Sequence, residues 1–277
     1  MADRDSVRAE LKSAIGLAAE YLQGVPAAKA AHPKTEPGAA ERRRAEGKLE
    51  AVIRAYFGRL EKRAKAKLNS DPPAKKSAKA SYADTAFGAD FFDDDEFEPA
   101  LVDVLTGATQ SGALQFTDMV KLEIDGDAVN KQAVTAVEKY AFDLVKGIDD
   151  TSRERLRDAI SEFIQNPGTT IGDVIDMLPF DDARAQLIAT TEITRAYASG
   201  QKLAGDATAE AWPDVTITKM WHTNNDSIVC PLCEPLNGQE VDREEPFVDD
   251  DGNEYDAPGD PHPGDRCWVS YRTQING

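Results

Sequence analysis

The sequence contains no run of about 18 apolar residues, and its only three cysteines all lie after residue 229. Without such a run we expect no transmembrane helix. The charged start MADRDSVRAELK also lacks the apolar segment of a secretory signal. An odd number of cysteines argues against a disulfide framework. We therefore expect a reducing cytoplasm, where clustered cysteines bind metal more often than they pair as disulfides.

Basic residues are scarce after residue 80. Residues 1–80 contain 18 Lys and Arg against 10 Asp and Glu, whereas residues 81–277 contain 14 against 40, within a net charge of -18. Nucleic-acid binding depends on basic side chains that neutralise phosphates, so only the N-terminal part is a candidate. The acidic remainder suits a basic protein partner. The candidate nucleic-acid contacts are Arg42, Arg43, Arg44, Lys62, Arg63, Lys75, Lys76 and Lys79.

Apolar residues recur at helical spacing in the first part of the chain. This periodicity predicts helices at 3–23 and 47–68. Proline and charged residues predict linkers at 24–46 and 69–81. The charged face of the helix at 47–68 is interpreted first as a solvated face.

Further helices are expected between residues 116 and 205, joined by short loops as in a bundle. The first is predicted near 127–147, and the longest near 183–204. Residues that can cap the later helices are Asp150-Thr151-Ser152, Thr170, and Asp181 or Asp182.

The hydrophobic period changes after Pro213. Residues 215–223 alternate with period two, which predicts a strand. Phe247-Val248 and Tyr255 flank an acidic turn in which Gly252 permits a hairpin. Calcium binding in that turn is the weaker option, because Phe247 stands where an EF-hand loop places its first ligand.

The three cysteines and one of the three histidines occur as two short pairs. Cys230 and Cys233 form a Cys-x2-Cys knuckle, whose turn can direct both sulfurs towards one ion. His262 follows after 28 residues, and Cys267 after four more. Three sulfurs and one imidazole nitrogen suit tetrahedral zinc. We therefore predict a structural Zn²⁺ site formed by Cys230, Cys233, His262 and Cys267.

Other interpretations of this site stay open. The knuckle could be a redox dithiol, although such motifs open a helix, whereas Pro235 and Gly238 favour turns here. The cysteines could also be unrelated buried thiols. The enzymatic alternative is a zinc-dependent nuclease of the His/Cys-finger kind, with Asp226, Asp260 and Asp265 as available carboxylates. There is no HExxH motif, and four protein ligands would leave no position for water, so we expect a structural site.

These patterns predict an α+β protein, a mainly α-helical bundle followed by a small zinc-stabilised β-rich C-terminal module. About 65 residues with few apolar side chains would need such a metal to fold. The predicted domains are a basic helical N-terminal arm with linkers at 1–80, an acidic connector at 81–115, a helical domain at 116–210 and the zinc-binding module at 211–277.

Four short motifs follow one another between residues 189 and 267. They are Ala189-Thr-Thr-Glu192-Ile-Thr-Arg195-Ala196-Tyr, Trp221-x-Thr223 with Asp226, Cys230-x-x-Cys233-x-x-Leu236-x-Gly238, and His262-Pro263-x-x-Arg266-Cys267. Each motif alone is weak, but their order and spacing resemble the phage head morphogenesis family, the Mu protein F-like minor head proteins. The resemblance covers residues 115–275.

One position departs from the family pattern. Many members end in His-Pro-x-Cys-Arg-Cys, and Asp265 stands where the first of those cysteines would be. We therefore choose Cys267 as the fourth ligand, with Asp265 as an oxygen alternative and His222 as a reserve nitrogen ligand.

The resemblance implies a non-enzymatic minor capsid protein of a tailed bacteriophage. Such proteins assemble in the host cytoplasm, enter the head in few copies, contact the portal protein and capsid components, and in some cases influence DNA packaging or delivery. DNA contact is expected through the N-terminal arm, and no membrane contact is expected. Glu192 and Arg195 are expected to form an ion pair on one helix, in a fixed role beside the zinc module.

Overall fold

The structure is a computed structural model that describes residues 36–74, 79–166, 168–224 and 229–275, without the side chains of residues 79–81. The helix predicted at 3–23 lies outside these ranges, as do Lys75, Lys76 and Asp226.

A helical region precedes a small β-rich module, which confirms the predicted α+β class. The helices are α1 (Ala39–Ser70), α2 (Lys79–Ala86), α3 (Ala89–Phe92), α4 (Phe97–Val120), α5 (Gly126–Gln165), α6 (Ile171–Asp176) and α7 (Asp182–Ala211). The strands are β1 (Val215–His222), β2 (Glu240–Asp242), β3 (Phe247–Val248), β4 (Glu254–Tyr255) and β5 (Trp268–Ile275), with a 3₁₀ turn at Glu234–Leu236. No helix within the described ranges is long and apolar enough to cross a membrane.

Helix α1 begins inside the segment predicted as the linker 24–46. The prediction was wrong from residue 39 onwards, because Pro37 and Gly38 are followed by Ala, Glu and Arg, which are strong helix formers. The apolar face predicted for this helix is buried, as expected. Its fully buried members include Leu49, Ile53, Tyr56, Phe57 and Leu60.

Helix α5 runs through the predicted N-cap at 150–152. It has 40 residues against 30 for α7, so the predicted break and the predicted longest helix were both wrong. The Ser152 hydroxyl donates to the carbonyl oxygen of Ile148 (2.6 Å) and accepts from Arg184 Nη1 (2.9 Å). A hydroxyl that bonds the preceding turn in this way does not cap a new helix.

The two later caps were predicted correctly. Thr170 forms a capping box with Asp173 at the start of α6. The Asp181 carboxylate accepts from the backbone N–H of Arg184 (2.8 Å) in the first turn of α7.

The chain forms two compact units. The first contains the described residues of Met1–Gly47, Leu105–Thr135 and Leu187–Gly277, and the second contains those of Lys48–Val104 and Ala136–Gln186. In the second unit, Tyr56 stacks on Phe97 (3.8 Å between ring centroids) and donates to Asp149 (2.5 Å). The Cys/His motifs belong to the first unit.

An antiparallel sheet of order β2-β1-β5 and the hairpin β3-β4 make up the C-terminal module. Ile217, Lys219 and Trp221 are buried, which confirms the predicted alternation in β1. The predicted hairpin is also present, with Gly252 at φ 83° in its turn. Phe116 of α4 packs against Tyr271 of β5 (4.8 Å between centroids), so the sheet rests on the helices of its own unit.

Helices α4 and α7 approach each other closely at two glycines. A Cβ atom on Gly112 would overlap the backbone of Tyr197, and one on Gly200 would overlap the backbone of Thr109. Because backbone cannot yield as a flexible side chain does, only glycine fits at these points.

We predict that Gly112→Ala lowers the free energy of unfolding by about 2–3 kcal/mol, because the helices must separate. Gly107 lies in the same helix with open space around its Cα, so Gly107→Ala should stabilise by about 0.5–1 kcal/mol. Urea titrations followed by circular dichroism measure both variants. Equal effects of the two substitutions would contradict this helix contact.

Candidate metal centre

The first pair of candidate ligands lies in the tight turn after β1. The backbone N–H groups of Cys233 and Glu234 both donate to the Cys230 carbonyl (3.1 Å each), and the Cys233 N–H also donates to Cys230 Sγ (3.3 Å). The 3₁₀ turn that follows ends at Leu236, and Gly238 has φ 83°. This backbone folding brings the two sulfurs to the same side of the turn.

The second pair lies just before β5. His262 Nδ1 is 2.8 Å from the carbonyl oxygen of Pro263, which can only accept, so Nδ1 carries the hydrogen. Nε2 is therefore the nitrogen through which His262 would bind a metal. Gly264 has φ 78° and allows the chain to turn back towards Cys267.

The two pairs converge. His262 Nε2 is 2.8 Å from Cys230 Sγ and 3.3 Å from Cys233 Sγ. The ligand atoms of Cys230, Cys233 and His262 lie within 4.8 Å of one another, as do those of Cys233, Asp265 and Cys267. Cys233 is common to both groups, so the four predicted ligands form one cluster that could hold a metal ion.

Asp265 supports this cluster through the backbone. One carboxylate oxygen accepts from the Cys267 N–H (2.7 Å), and the other accepts from the Gly259 N–H (2.8 Å). The same carboxylate is 3.9 Å from Cys233 Sγ, close enough to remain the oxygen alternative. With both oxygens already accepting, its evident role is to hold the turn that presents Cys267.

The cluster is part of the core of the C-terminal module. Its three cysteines pack with the fully buried Trp221, Leu236 and Phe247. The indole N–H of Trp221 is buried and has no hydrogen-bond acceptor among the described residues by distance and angle. The hydrogen bond with Cys233 lowers the pKa of the Cys267 thiol, but burial and Asp265 outweigh it and raise that pKa to about 11. The Trp221 N–H acts against this rise, so a metal-bound thiolate would give it a charged acceptor.

The pKa shifts favour one thiolate, on Cys230, beside a protonated imidazole, on His262. Hydrogen bonds with Cys233 and His262 outweigh burial and lower the pKa of Cys230 to about 5. The hydrogen bond with Cys230, then that with Cys267 and burial, raise the pKa of Cys233. Burial lowers the pKa of His262, but the hydrogen bond with Cys230 and the charge of Asp265 raise it to about 9. One proton is thus shared where a cation would bind.

Helix α7 holds the second pair in place. The Gly264 N–H donates to Thr191 Oγ1 (2.8 Å), and Thr194 Oγ1 lies 2.9 Å from the Asp265 carbonyl oxygen. The predicted ion pair is present, with Arg195 3.2 Å from Glu192. The Arg195 side chain also lies where a Cβ atom on Gly259 would be, so it packs directly against the metal loop.

His222 has a different role from that of a ligand. Its ring stacks on Trp268 (4.1 Å between centroids), and its Nε2 lies 2.7 Å from the Ser270 hydroxyl. It belongs to neither cluster of potential ligand atoms. In the acidic hairpin, the Asp249 carboxylate accepts from two backbone N–H groups, an amide and the Tyr255 hydroxyl, so it stabilises the turn itself.

Some of the candidate DNA contacts already bond within the protein. The prediction that Arg42 contacts DNA was wrong, because its side chain is only 2% exposed and hydrogen-bonds within the protein. Arg63 donates to the carbonyl oxygens of Phe91 and Asp93 (2.9 Å each), so part of its hydrogen-bonding capacity is already used. Arg43, Arg44 and Lys62 are exposed; of these, Arg44 pairs with Glu41.

Sequence reasoning missed three supports of the site: Arg42, Thr194 and the indole of Trp221. Thr191 and Thr194 were visible as polar residues three apart on a predicted helix, which is a signal for one shared contact face. Arg42 gave no such signal, since its neighbours Arg43 and Arg44 make it look like part of a basic surface run.

We predict that His262→Gln abolishes stoichiometric metal binding, because it removes the only nitrogen donor of the cluster. His222→Gln is the matched control, since His222 lies in the same module but contacts Ser270 and Trp268 instead. Native mass spectrometry of the full chain with added zinc measures both. Retention of the ion by His262→Gln would contradict the ligand set.

We predict that Asp265→Asn keeps one ion per chain but weakens binding by about 10- to 100-fold, the usual cost of losing an outer support. The amide can still accept from one N–H but carries no charge. Chelator competition measures the affinity. Complete loss of the ion would instead identify Asp265 as a direct ligand.

Comparison of the chain with protein-family models, curated proteins and solved structures gave no match. The geometry of the cluster and the resemblance of its motifs therefore carry the functional argument.

Proposed function

We propose that this chain is a non-enzymatic minor head protein of a tailed bacteriophage, in which one zinc ion fastens the C-terminal module. The protein would be built into the virion at or near the portal, assemble in the host cytoplasm, and take part in head assembly and in DNA packaging or delivery.

The observation that carries this proposal is that the separate motifs meet in space. Thr191 and Thr194, from the first motif, bond the loop of Gly264 and Asp265, from the last, although more than 70 residues separate them. The knuckle of the third motif shares its ligand cluster with His262 of the last. Motifs that were individually weak thus form one constellation, which supports treating their resemblance to minor head proteins as a single signal.

The donor set supports zinc as the ion. Three thiolates and one imidazole nitrogen at tetrahedral spacing are typical of structural zinc sites. With zinc–sulfur and zinc–nitrogen bonds, a sulfur and a nitrogen ligand lie about 3.5 Å apart, so the ion would widen the contact between Cys230 and His262 slightly. Burial of the cysteines in the module core favours a structural ion over an exchangeable one.

The surroundings of the cluster support a structural role over the nuclease alternative. Four protein ligands fill a tetrahedral site, whereas catalysis needs an open position and a nearby base. Asp260 accepts from the backbone N–H groups of Asp256 and Ala257, and Asp265 from those of Gly259 and Cys267. Both carboxylates are therefore committed to turns.

The partners follow from charge and from the resemblance. The excess of Asp and Glu after residue 80 suits basic surfaces on portal or capsid subunits. DNA contact would use the exposed Arg43, Arg44 and Lys62, with Lys75, Lys76 and Lys79 as further candidates, and Arg42 is removed from that set by its burial.

The test uses the phage genome that encodes this chain, with its gene deleted and supplied in trans. We predict that the wild-type chain is found in purified DNA-filled heads at a small fraction of the copies of the major capsid protein. Cys267→Ser should be absent from heads, because its module loses a ligand, whereas His222→Gln should enter normally. Quantitative peptide mass spectrometry of particles and lysates measures all three. A wild-type chain that stays in the lysate would rule out a virion role.

A further inference from the structure

Arg42 joins the start of helix α1 to the second ligand pair. Its Nη1 donates to the carbonyl oxygen of Cys267 (3.1 Å) and to Glu36 (2.8 Å), and its Nη2 donates to Thr194 Oγ1 (2.6 Å). More than 220 residues separate Arg42 from Cys267 in sequence. A single buried guanidinium therefore contacts the backbone of a metal ligand and the helix that carries the motif residues.

We propose that Arg42 is a positioning residue of the metal centre, and that it couples metal binding to the docking of residues 36–47 against α7 and the Cys267 turn. This inference rests on the proposed metal site. It adds a role for a segment outside the family motifs, and it assigns Arg42 to the site instead of to DNA.

The charges around Arg42 give the sign of the coupling. Three thiolates outweigh one divalent cation, so the loaded cluster is anionic, and Asp265 adds a further negative charge beside it. Glu36 also pairs with the Arg42 guanidinium (2.8 Å), and the Glu46 carboxylate lies 3.7 Å from Arg42 Nε. Metal loading therefore increases the attraction for the cation on α1, and a docked Arg42 in turn stabilises the loaded cluster.

Thr194 helps to fix the orientation of the Arg42 guanidinium. Its hydroxyl accepts from Arg42 and lies 2.8 Å from the carbonyl oxygen of Thr190 and 2.9 Å from that of Asp265. The guanidinium is planar and presents its donors in a fixed fork, so Thr194 and the Cys267 carbonyl define one orientation of the side chain. A lysine at position 42 would keep the charge but lose this fork.

Linkage makes the effect reciprocal. If docking of residues 36–47 tightens metal binding by some factor, metal binding must favour docking by the same factor. The coupling can therefore be measured from either end, as zinc affinity or as amide exchange of residues 39–47 with and without zinc.

The experiment compares full-length Arg42→Met with Arg43→Met, a neighbouring arginine that is exposed. Methionine keeps an apolar stem and removes the charge and all donors. Because Glu36 would then be buried without Arg42, Glu36→Gln/Arg42→Met is included to remove both charges. Arg42→Lys and Thr194→Val separate charge from geometry.

We expect Arg42→Met and the double variant to raise the zinc Kd by about 10- to 100-fold in chelator competition, with Arg43→Met unchanged. Arg42→Lys and Thr194→Val should each raise the zinc Kd by a smaller factor than Arg42→Met does. The absorption spectrum of the cobalt-loaded protein should keep its shape in every variant, because no ligand is changed. Zinc should slow exchange of residues 39–47 fully in the wild type and in Arg43→Met, less in Arg42→Lys and Thr194→Val, and least in Arg42→Met and the double variant.

A zinc Kd that is the same in Arg42→Met, the double variant and the wild type would overturn the coupling while leaving the metal site intact. Exchange of residues 39–47 that does not depend on zinc in the wild type would overturn it equally. A wild-type chain that binds no zinc at all would remove the metal assignment and this inference together.

Discussion

The meeting of two short ligand pairs inside one small core is the constraint on which the C-terminal module depends. Trp221, Leu236 and Phe247 are its fully buried large side chains, and the cysteines fill much of the space between them. The cysteine side chains add to the buried apolar surface of this core, and their sulfur atoms could also coordinate a metal ion. A cation bound by the cluster would link the knuckle to the turn before β5 and so cross-link a thin hydrophobic core.

Support for the ligands comes from outside the module itself as much as from within it. The hydroxyls of Thr191 and Thr194 in α7 hydrogen-bond the backbone of the Gly264–Asp265 loop. Within the module, the two carboxylate oxygens of Asp265 accept from the backbone N–H groups of Cys267 and Gly259. Asp265 therefore orients the turn that presents Cys267 to the cluster.

The sequence predicted local features well where one signal was sufficient. Period-two alternation identified β1, Gly252 identified the hairpin turn, and Thr170 identified a helix start. It failed where tertiary contacts overrode a local preference. Ser152 looked like a cap, but its burial against Arg184 keeps α5 continuous, and Arg42 looked like a surface residue because its partners lie far away in sequence.

Strand β1 is synthesised well before β5, the strand with which it pairs. Cys230 and Cys233 leave the ribosome 32 and 29 residues before His262, an interval of about 1.5 to 6 seconds at ordinary translation rates. During that interval the knuckle is a two-thiolate half-site next to an unpaired strand, and β1 has no β5 partner until Trp268–Ile275 has been made. If the chain binds a metal, ion capture by the two sulfurs at this stage would compete with aggregation at the open sheet edge.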